Sequence, residues 1–266
     1  MQYHYHLQGF IYSLLKSSKY YYIHNKKGYK FFCFSNILPV TNNIEQNDSR
    51  AFIISSPNSD FITYLYTQIL HTYVRNRIRI GSMTFRIQSV SHFEVKVSLS
   101  SSHHITLITG TPITIRLKDT TSHGKTYRDG YYWRKEDPLD MFISQLQDNL
   151  VKKYQQFHSQ VHLGNSNQGS NEDIDEALLI DMSSGSTNDF MLSLTSFFQR
   201  LICTLKKQIA IPLNIKRGNF NEVIIGTTWE FTLSRIIDME KDIKIIRFMD
   251  GERNSLGFGF MNIKTR

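Results

Sequence analysis

Leu7, Phe10, Ile11, Leu14 and Leu15 recur at i, i+3, i+4, i+7 and i+8, which is one apolar stripe of a helix. Tyr12 falls off that stripe, so its hydroxyl is placed to point outward. A basic turn, Lys26-Lys27-Gly28, follows His24, and Lys30-Phe31-Phe32-Cys33-Phe34-Ser35 is expected to form a short buried strand. Residues 51–55 make another. Pro57-Asn58-Ser59 caps a second helix from about Asp60, with Phe61, Leu65, Ile69 and Tyr73 near one face. Arg75-Asn76-Arg77-Ile78-Arg79-Ile80 alternates, which puts three arginines on one side of a strand and two isoleucines on the other. Gly81-Ser82 turns the chain into Met83, Phe85 and Ile87, and residues 94–99 alternate as a further strand.

A second unit begins near Gly110-Thr111-Pro112, with Ile113, Ile115 and Leu117 alternating as a strand. Asp137-Pro138 starts a helix whose buried face is Leu139, Phe142, Ile143, Leu146 and Leu150. Residues 164–188 are rich in Ser, Asn, Gly and acids and read as a flexible insert. Phe190, Leu194, Phe197, Phe198, Leu201, Ile202 and Leu205 then hold a helical period. Residues 212–215 and 224–233 are expected strands, 238–248 a helix and 257–263 a last strand.

The first half therefore runs helix, strand, strand, helix, strand. This is the split βαβ pattern with its first strand missing, and the second half repeats the topology around the insert. The expected class is α+β, with tandem ferredoxin-like, RRM-like domains over residues 1–108 and 109–266. The second domain carries the acidic insert at about 160–189 and a glycine-rich loop at 251–259. In that fold the first strand lies mid-sheet, so its loss leaves unpaired backbone groups. We expect the true start to lie upstream of Met1, or another segment to fill the gap. A strand-like sequence in frame upstream would support the first version, and a stop codon directly upstream would sink it.

Charge sharpens this picture. The chain carries a net +8, which suits an anionic partner. Residues 61–93 hold four arginines and no acid, and residues 190–221 hold five Lys or Arg and no acid. Residues 154–199 hold six acids and no Lys or Arg. Arg75, Arg77 and Arg79 on one strand face suit a phosphate backbone, while an edge strand that uses charge against aggregation is the plainer reading. Two cysteines, Cys33 and Cys203, make neither a disulfide framework nor a zinc spacing, which points to a reducing, cytoplasmic setting. No apolar run approaches a membrane span, and Met1-Gln-Tyr-His-Tyr-His is no signal peptide. His4 and His6 touch RNA or are solvated. His103-His104 precede an apolar strand. Neither pair has ligand partners at metal spacing, and no cofactor is expected. Phe31, Phe32 and Phe34 are candidates for base stacking, although alternation assigns at least two of them to the core.

Gly251-Glu-Arg-Asn-Ser-Leu-Gly257-Phe-Gly259 precedes a strand, so it is not a dinucleotide fingerprint. Its glycines permit close backbone approach, and Arg253 and Ser255 can bind phosphate oxygens; a plain tight turn is the commoner explanation. Taken with Gln8-Gly-Phe-Ile-Tyr12, the His24 loop, residues 30–35, Gly110-Thr-Pro-Ile113 and Gln147-Asp-Asn-Leu-Val-Lys-Lys-Tyr154, it resembles the CRISPR-associated repeat-cleaving endoribonucleases. These are the Cas-six family of the RAMP superfamily, and the likeness is to the archaeal type with a Tyr-His-Lys site. The family often has a second glycine where this chain has Met249.

The resemblance implies tandem ferredoxin-like domains that cut CRISPR repeat RNA into guide units without a metal. The 2′-hydroxyl attacks the adjacent phosphorus, and the products carry a 2′,3′-cyclic phosphate and a 5′-hydroxyl. Tyr12, His24 and Lys30 would be catalytic. Lys26, Lys27, Arg75, Arg77, Arg79, Gly251, Arg253, Ser255, Gly257 and Gly259 would meet the RNA. The partners implied are repeat RNA and, downstream, the interference complex; a homodimer is left open. In-line attack needs a base, an acid and positive charge on the phosphoryl oxygens. His24 can serve as acid or base, Lys30 can neutralise charge, and Tyr12 can orient the hydroxyl or share the base role. The competing reading is a non-cutting RNA-binding or scaffold subunit of a CRISPR ribonucleoprotein.

Overall fold

A computed structural model of the chain describes residues 3–25, 28–41, 43–73, 76–94, 104–118, 121–122, 125–126, 130–163, 185–215, 220–235, 238–246 and 251–264. The first half is built from α1 (Tyr3–Leu14), the single turn α2 (Tyr22–Asn25), β1 (Cys33–Phe34), β2 (Ile54–Ser55), α3 (Ser59–Tyr73), β3 (Arg77–Ile80) and β4 (Met83–Arg86). The apolar stripe of α1 is buried as its spacing requires, and it meets Phe61, Leu65 and Ile69 of α3 in one core. Asn58 caps α3, its Oδ1 accepting the Phe61 backbone N–H at 3.0 Å.

The expected strand over residues 30–35 shrinks to Cys33–Phe34, because Phe31 has φ 51° and breaks the alternation. Phe32 and Phe34 are core residues and Phe31 packs on the second core, so none of the three is presented for base stacking. β1 and β2 form one antiparallel ladder and β3 and β4 another. Among the described residues no strand pairing joins the two ladders. A cleft of ≈ 2850 Å³ is lined from both ladders, by Ile54, Ile78 and Phe85 among others, with Phe10, Leu65 and Ile69 from the helices and Leu107, Ile246 and Phe260 from the second half. In β3, Arg77 and Arg79 are exposed while Ile78 and Ile80 are buried, as alternation demands. The expected strand over 94–99 lies, apart from Glu94, outside the described residues.

The second half contains β5 (Ile105–Thr109), β6 (Arg116–Leu117), β7 (Thr121–Ser122), β8 (Lys125–Thr126), β9 (Tyr131–Tyr132), α4 (Leu139–Leu163), α5 (Gly185–Arg200), β10 (Leu201–Ile215), β11 (Phe220–Leu233), α6 (Met239–Ile246), a 3₁₀ turn (Asn254–Leu256) and β12 (Met261–Ile263). Its antiparallel sheet has the order β10-β11-β5-β12. The division at residue 108 thus falls within β5, which pairs with β11 and β12. Ile113, Ile115 and Leu117 are buried, but only Arg116–Leu117 forms a ladder there. The core under this sheet joins Phe142 and Trp229, with ring centroids 4.4 Å apart, to Leu146 and Leu150 of α4.

Two expected boundaries move. The helix expected through Leu205 ends at Arg200, and Leu201, Ile202 and Leu205 belong to β10. Leu201, Cys203 and Leu205 lie half-buried while Ile202 and Thr204 are exposed. A period of two therefore takes over, with Leu201 fitting both patterns. Residues 212–215 are only the end of this 15-residue strand. Pro212 is tolerated because β10 is an edge strand. The ends of the expected insert are helical: α4 runs to Leu163 and α5 starts at Gly185.

The last segment returns to the first. Residues 257–260 are not strand, since Gly257 and Gly259 take φ 78° and 76°. A Cβ at Gly257 would lie 2.5 Å from Phe34 Cε2 and 2.9 Å from His4 Nδ1. Gly257→Ala is therefore expected to lose at least the roughly 1–3 kcal/mol of a left-handed non-glycine residue. That lowers the thermal midpoint by several degrees, read by calorimetry; an unchanged midpoint would mean that the loop docks elsewhere.

Candidate active site

Tyr12 lies near the end of α1, half-buried on the flank of the apolar stripe. Lys30 Nζ donates to its hydroxyl oxygen at 2.9 Å and to the His24 carbonyl at 3.0 Å. The exposed His24 ring stands edge-on to Tyr12 with centroids 4.9 Å apart. His24 Nδ1 is 2.7 Å from Asn25 Oδ1, and Nε2 takes no partner among the described residues. A phenol, an imidazole and an ammonium thus meet from a helix, a single helical turn and the segment before β1. The large cleft does not include them.

The segment bearing Lys30 is held by α4. The backbone N–H of Tyr29 donates to Gln156 Oε1 and its hydroxyl to Asn149 Oδ1, both at 3.3 Å. Asn149 Nδ2 in turn donates to Glu252 Oε1 at 3.3 Å, which also accepts the Arg116 backbone N–H at 3.2 Å. The buried Lys153 donates to the Gly251 carbonyl. One helix therefore fixes both the Lys30 segment and the root of the glycine-rich loop.

The loop tip is held by α1. His4 is 2 % exposed, which corrects the expectation of a solvated or RNA-touching side chain. Its Nδ1 lies 3.0 Å from the Leu256 carbonyl and its Nε2 3.0 Å from Asn36 Oδ1. Burial is the strongest influence on this imidazole and pushes its pKa below the ordinary value, while the Leu256 and Asn36 contacts act against it. Gln8 Nε2 donates to Ser255 Oγ at 3.2 Å.

Of the other expected contacts, Lys26, Lys27 and Arg75 lie outside the described residues, as does Met249, where the family often has a glycine. Arg253 takes φ 56°, and its guanidinium is 5.8 Å from the centre of the Tyr132 ring. The open sides of Gly251 and Gly257 face Ile113 and Phe34, so protein packing already demands glycine at both. Arg77 and Arg79 are exposed, and the register sets Arg86 directly opposite Arg77. Arg86 was legible but overlooked: a two-residue turn at Gly81-Ser82 makes residues 77 and 86 partners. Like charges in opposition are destabilising unless an anion lies between them.

A family model described as "CRISPR associated protein Cas6, C-terminal" matches residues 92–263. A curated relative from Methanocaldococcus jannaschii, "CRISPR-associated endoribonuclease Cas6 2", is 30% identical over 262 residues, 96% of this chain and 90% of its own. The chain belongs to the Cas6 family. A second relative, "CRISPR-associated endoribonuclease Cas6" of Haloferax mediterranei, is 26% identical over 98% of this chain and 87% of its own. The solved structure "CRISPR associated protein Cas6" matches with TM-score 0.58 and 20% identity, over 99% of this chain and 92% of that one. "An RAMP protein binding different RNA substrates" matches with TM-score 0.62 and 17% identity over the same shares. This Cas6 chain thus shares the overall fold of those structures along nearly its whole length.

The buried His4 gives this Cas6 chain an acid-sensitive seam. Its depressed folded-state pKa means that the unfolded chain takes up the proton first, from about pH 6.5 downward. The stability tied to neutral His4 is present above that pH and is lost as pH falls through the folded value. Thermal midpoints between about pH 7 and pH 5 should decline less steeply in His4→Asn than in the parent; equal slopes would refute this origin.

Proposed function

We propose that this chain is a metal-independent endoribonuclease that cuts CRISPR repeat RNA into guide units, with Tyr12, His24 and Lys30 as its catalytic groups. The observation that carries this reading is the convergence of those three side chains, with Lys30 Nζ 2.9 Å from the Tyr12 oxygen and the His24 ring against the Tyr12 ring. The activity named for the Methanocaldococcus and Haloferax relatives supports it. Tandem ferredoxin-like halves are part of the same reading. The order β12-β5-β11-β10 with two crossover connections supports it for the second half.

In the reaction the ribose 2′-oxygen forms a bond to the adjacent phosphorus as the P–O5′ bond breaks. The 2′-hydroxyl proton passes to a base, and a proton reaches the departing 5′-oxygen. The accessible imidazole of His24 and the phenol of Tyr12 stand side by side to share these two transfers. The Lys30 ammonium, already beside the phenol oxygen, offsets charge that grows on the phosphoryl oxygens. The RNA backbone would run past Ser255 and Arg253 of the loop shaped by Gly251, Gly257 and Gly259. It would meet Lys26, Lys27 and the arginine face of Arg75, Arg77 and Arg79, extended by Arg86. Guide RNA would then pass to an interference complex.

His24→Ala should slow single-turnover cleavage of repeat RNA roughly 10²–10⁴-fold with binding retained. Cleavage should persist in excess EDTA, and a 2′-deoxy substitution at the cut site should leave the RNA bound but whole. Cutting of that substrate would refute the 2′-hydroxyl mechanism, and binding with no cutting under any condition would leave a non-catalytic RNA-binding subunit.

Arg77→Ala with Arg79→Ala should weaken RNA binding more at low salt than at high salt. The slope of log K against log salt should fall by about 0.7 for each phosphate of single-stranded RNA that the protein no longer neutralises. Titrations at several salt concentrations that return an unchanged slope would remove this face from the RNA path.

A further inference from the structure

Gln8 stands one turn before Tyr12 on α1, so the two side chains share a helix face. Its Nε2 donates to Ser255 Oγ at 3.2 Å and lies 3.5 Å from the Tyr12 hydroxyl oxygen. One amide thus reaches both the glycine-rich loop and the phenol that Lys30 already holds. The phenol oxygen has two acceptor positions and one hydrogen of its own. With Lys30 and Gln8 as donors, both acceptor positions are filled.

We propose that Gln8 is a positioning residue that ties the loop to the phenol, so that RNA seated at Ser255 is registered against Tyr12. The proposal rests on the reading of Tyr12, His24 and Lys30 as the cutting site. Other contacts already hold the surrounding fold. Leu7, Phe10, Ile11 and Leu14 bury α1, while the His4–Leu256 bond and the Gly257–Phe34 contact dock the loop. Gln8 itself is only half-buried. Its carboxamide Nε2 donates to both hydroxyl oxygens. An ionised glutamate of the same length can only accept, and it would set a negative charge beside Lys30 and the RNA. Gln8→Glu should therefore be the more damaging change.

The test is single-turnover cleavage of repeat RNA by the full chain carrying Gln8→Ala, Ser255→Ala, both together, or Gln8→Glu. Gln8→Met, which keeps length and helix propensity, guards against a folding artefact. Gln8→Ala and Gln8→Met should each cut about tenfold more slowly, the rate equivalent of one neutral hydrogen bond, with RNA affinity within about twofold. Gln8→Glu should be slower still. The double variant should be no slower than the slower single one, because both remove the same link. Parent-like cutting by Gln8→Met, or losses that multiply in the double variant, would overturn the proposal. His24→Ala is assayed alongside: if it cuts normally the cutting site itself is wrong, and if it alone is dead while the Gln8 series is unaffected only the positioning role falls.

Discussion

The architecture depends on one close approach, that of the Gly257 backbone to the ring of Phe34 and the imidazole of His4. No side chain fits there, since a Cβ would lie 2.5 Å from the Phe34 ring. The contact joins the last segment of the chain to its first helix and first strand. Residues separated by 252 positions, His4 and Leu256, thereby share a hydrogen bond. A seam of this kind is exacting, because a buried imidazole needs its polar partners and a left-handed backbone needs its glycine. It also seats Ser255 against the face of α1 that carries Gln8 and Tyr12.

The seam holds the loop tip, and α4 holds its root. Asn149 bonds both Tyr29 and Glu252, and Lys153 reaches the Gly251 carbonyl. The second core supplies the rigidity behind these polar contacts through Phe142, Leu146 and Leu150 on the same helix. Packing in one half thus aligns groups in the other. The proposed chemistry lies on the surface next to this junction, outside the large cleft. An open site suits a long polyanion, which must lie across the protein and cannot be enclosed by it.

Much of the frame was legible in the sequence, because periodicity reports burial directly. The stripes of α1, α3 and α4 and the alternation of β3 needed no more than side-chain spacing. The proposed site residues came only from family resemblance: no period brings Tyr12, His24 and Lys30 together. His4 was misread because it precedes the first apolar residue of the stripe, yet in α1, which begins at Tyr3, it stands one turn before Leu7 on the same buried face. Its partners lie 32 and 252 residues away. The junction at Arg200 and Leu201 was missed for a different reason. A helix that passes straight into a strand leaves no turn residues, and Leu201 satisfies both periods.

Phe31 shows why the site could not have followed from alternation. In a regular strand over residues 30–35, Lys30 would share a face with Phe32 and Phe34, and both of those are buried. A lysine on that face would be drawn into the core. The left-handed turn at Phe31 releases it, so that Lys30 leaves the strand direction and reaches the Tyr12 oxygen. For an aromatic residue that conformation costs on the order of 1–3 kcal/mol. The neighbours hold it there: the Phe31 ring packs edge-on to Phe157 at 5.2 Å, its carbonyl accepts the Ser56 hydroxyl at 2.6 Å, and Tyr29 is bonded to α4. Local strain, borne by packing against the second half, is what sets the ammonium beside the phenol.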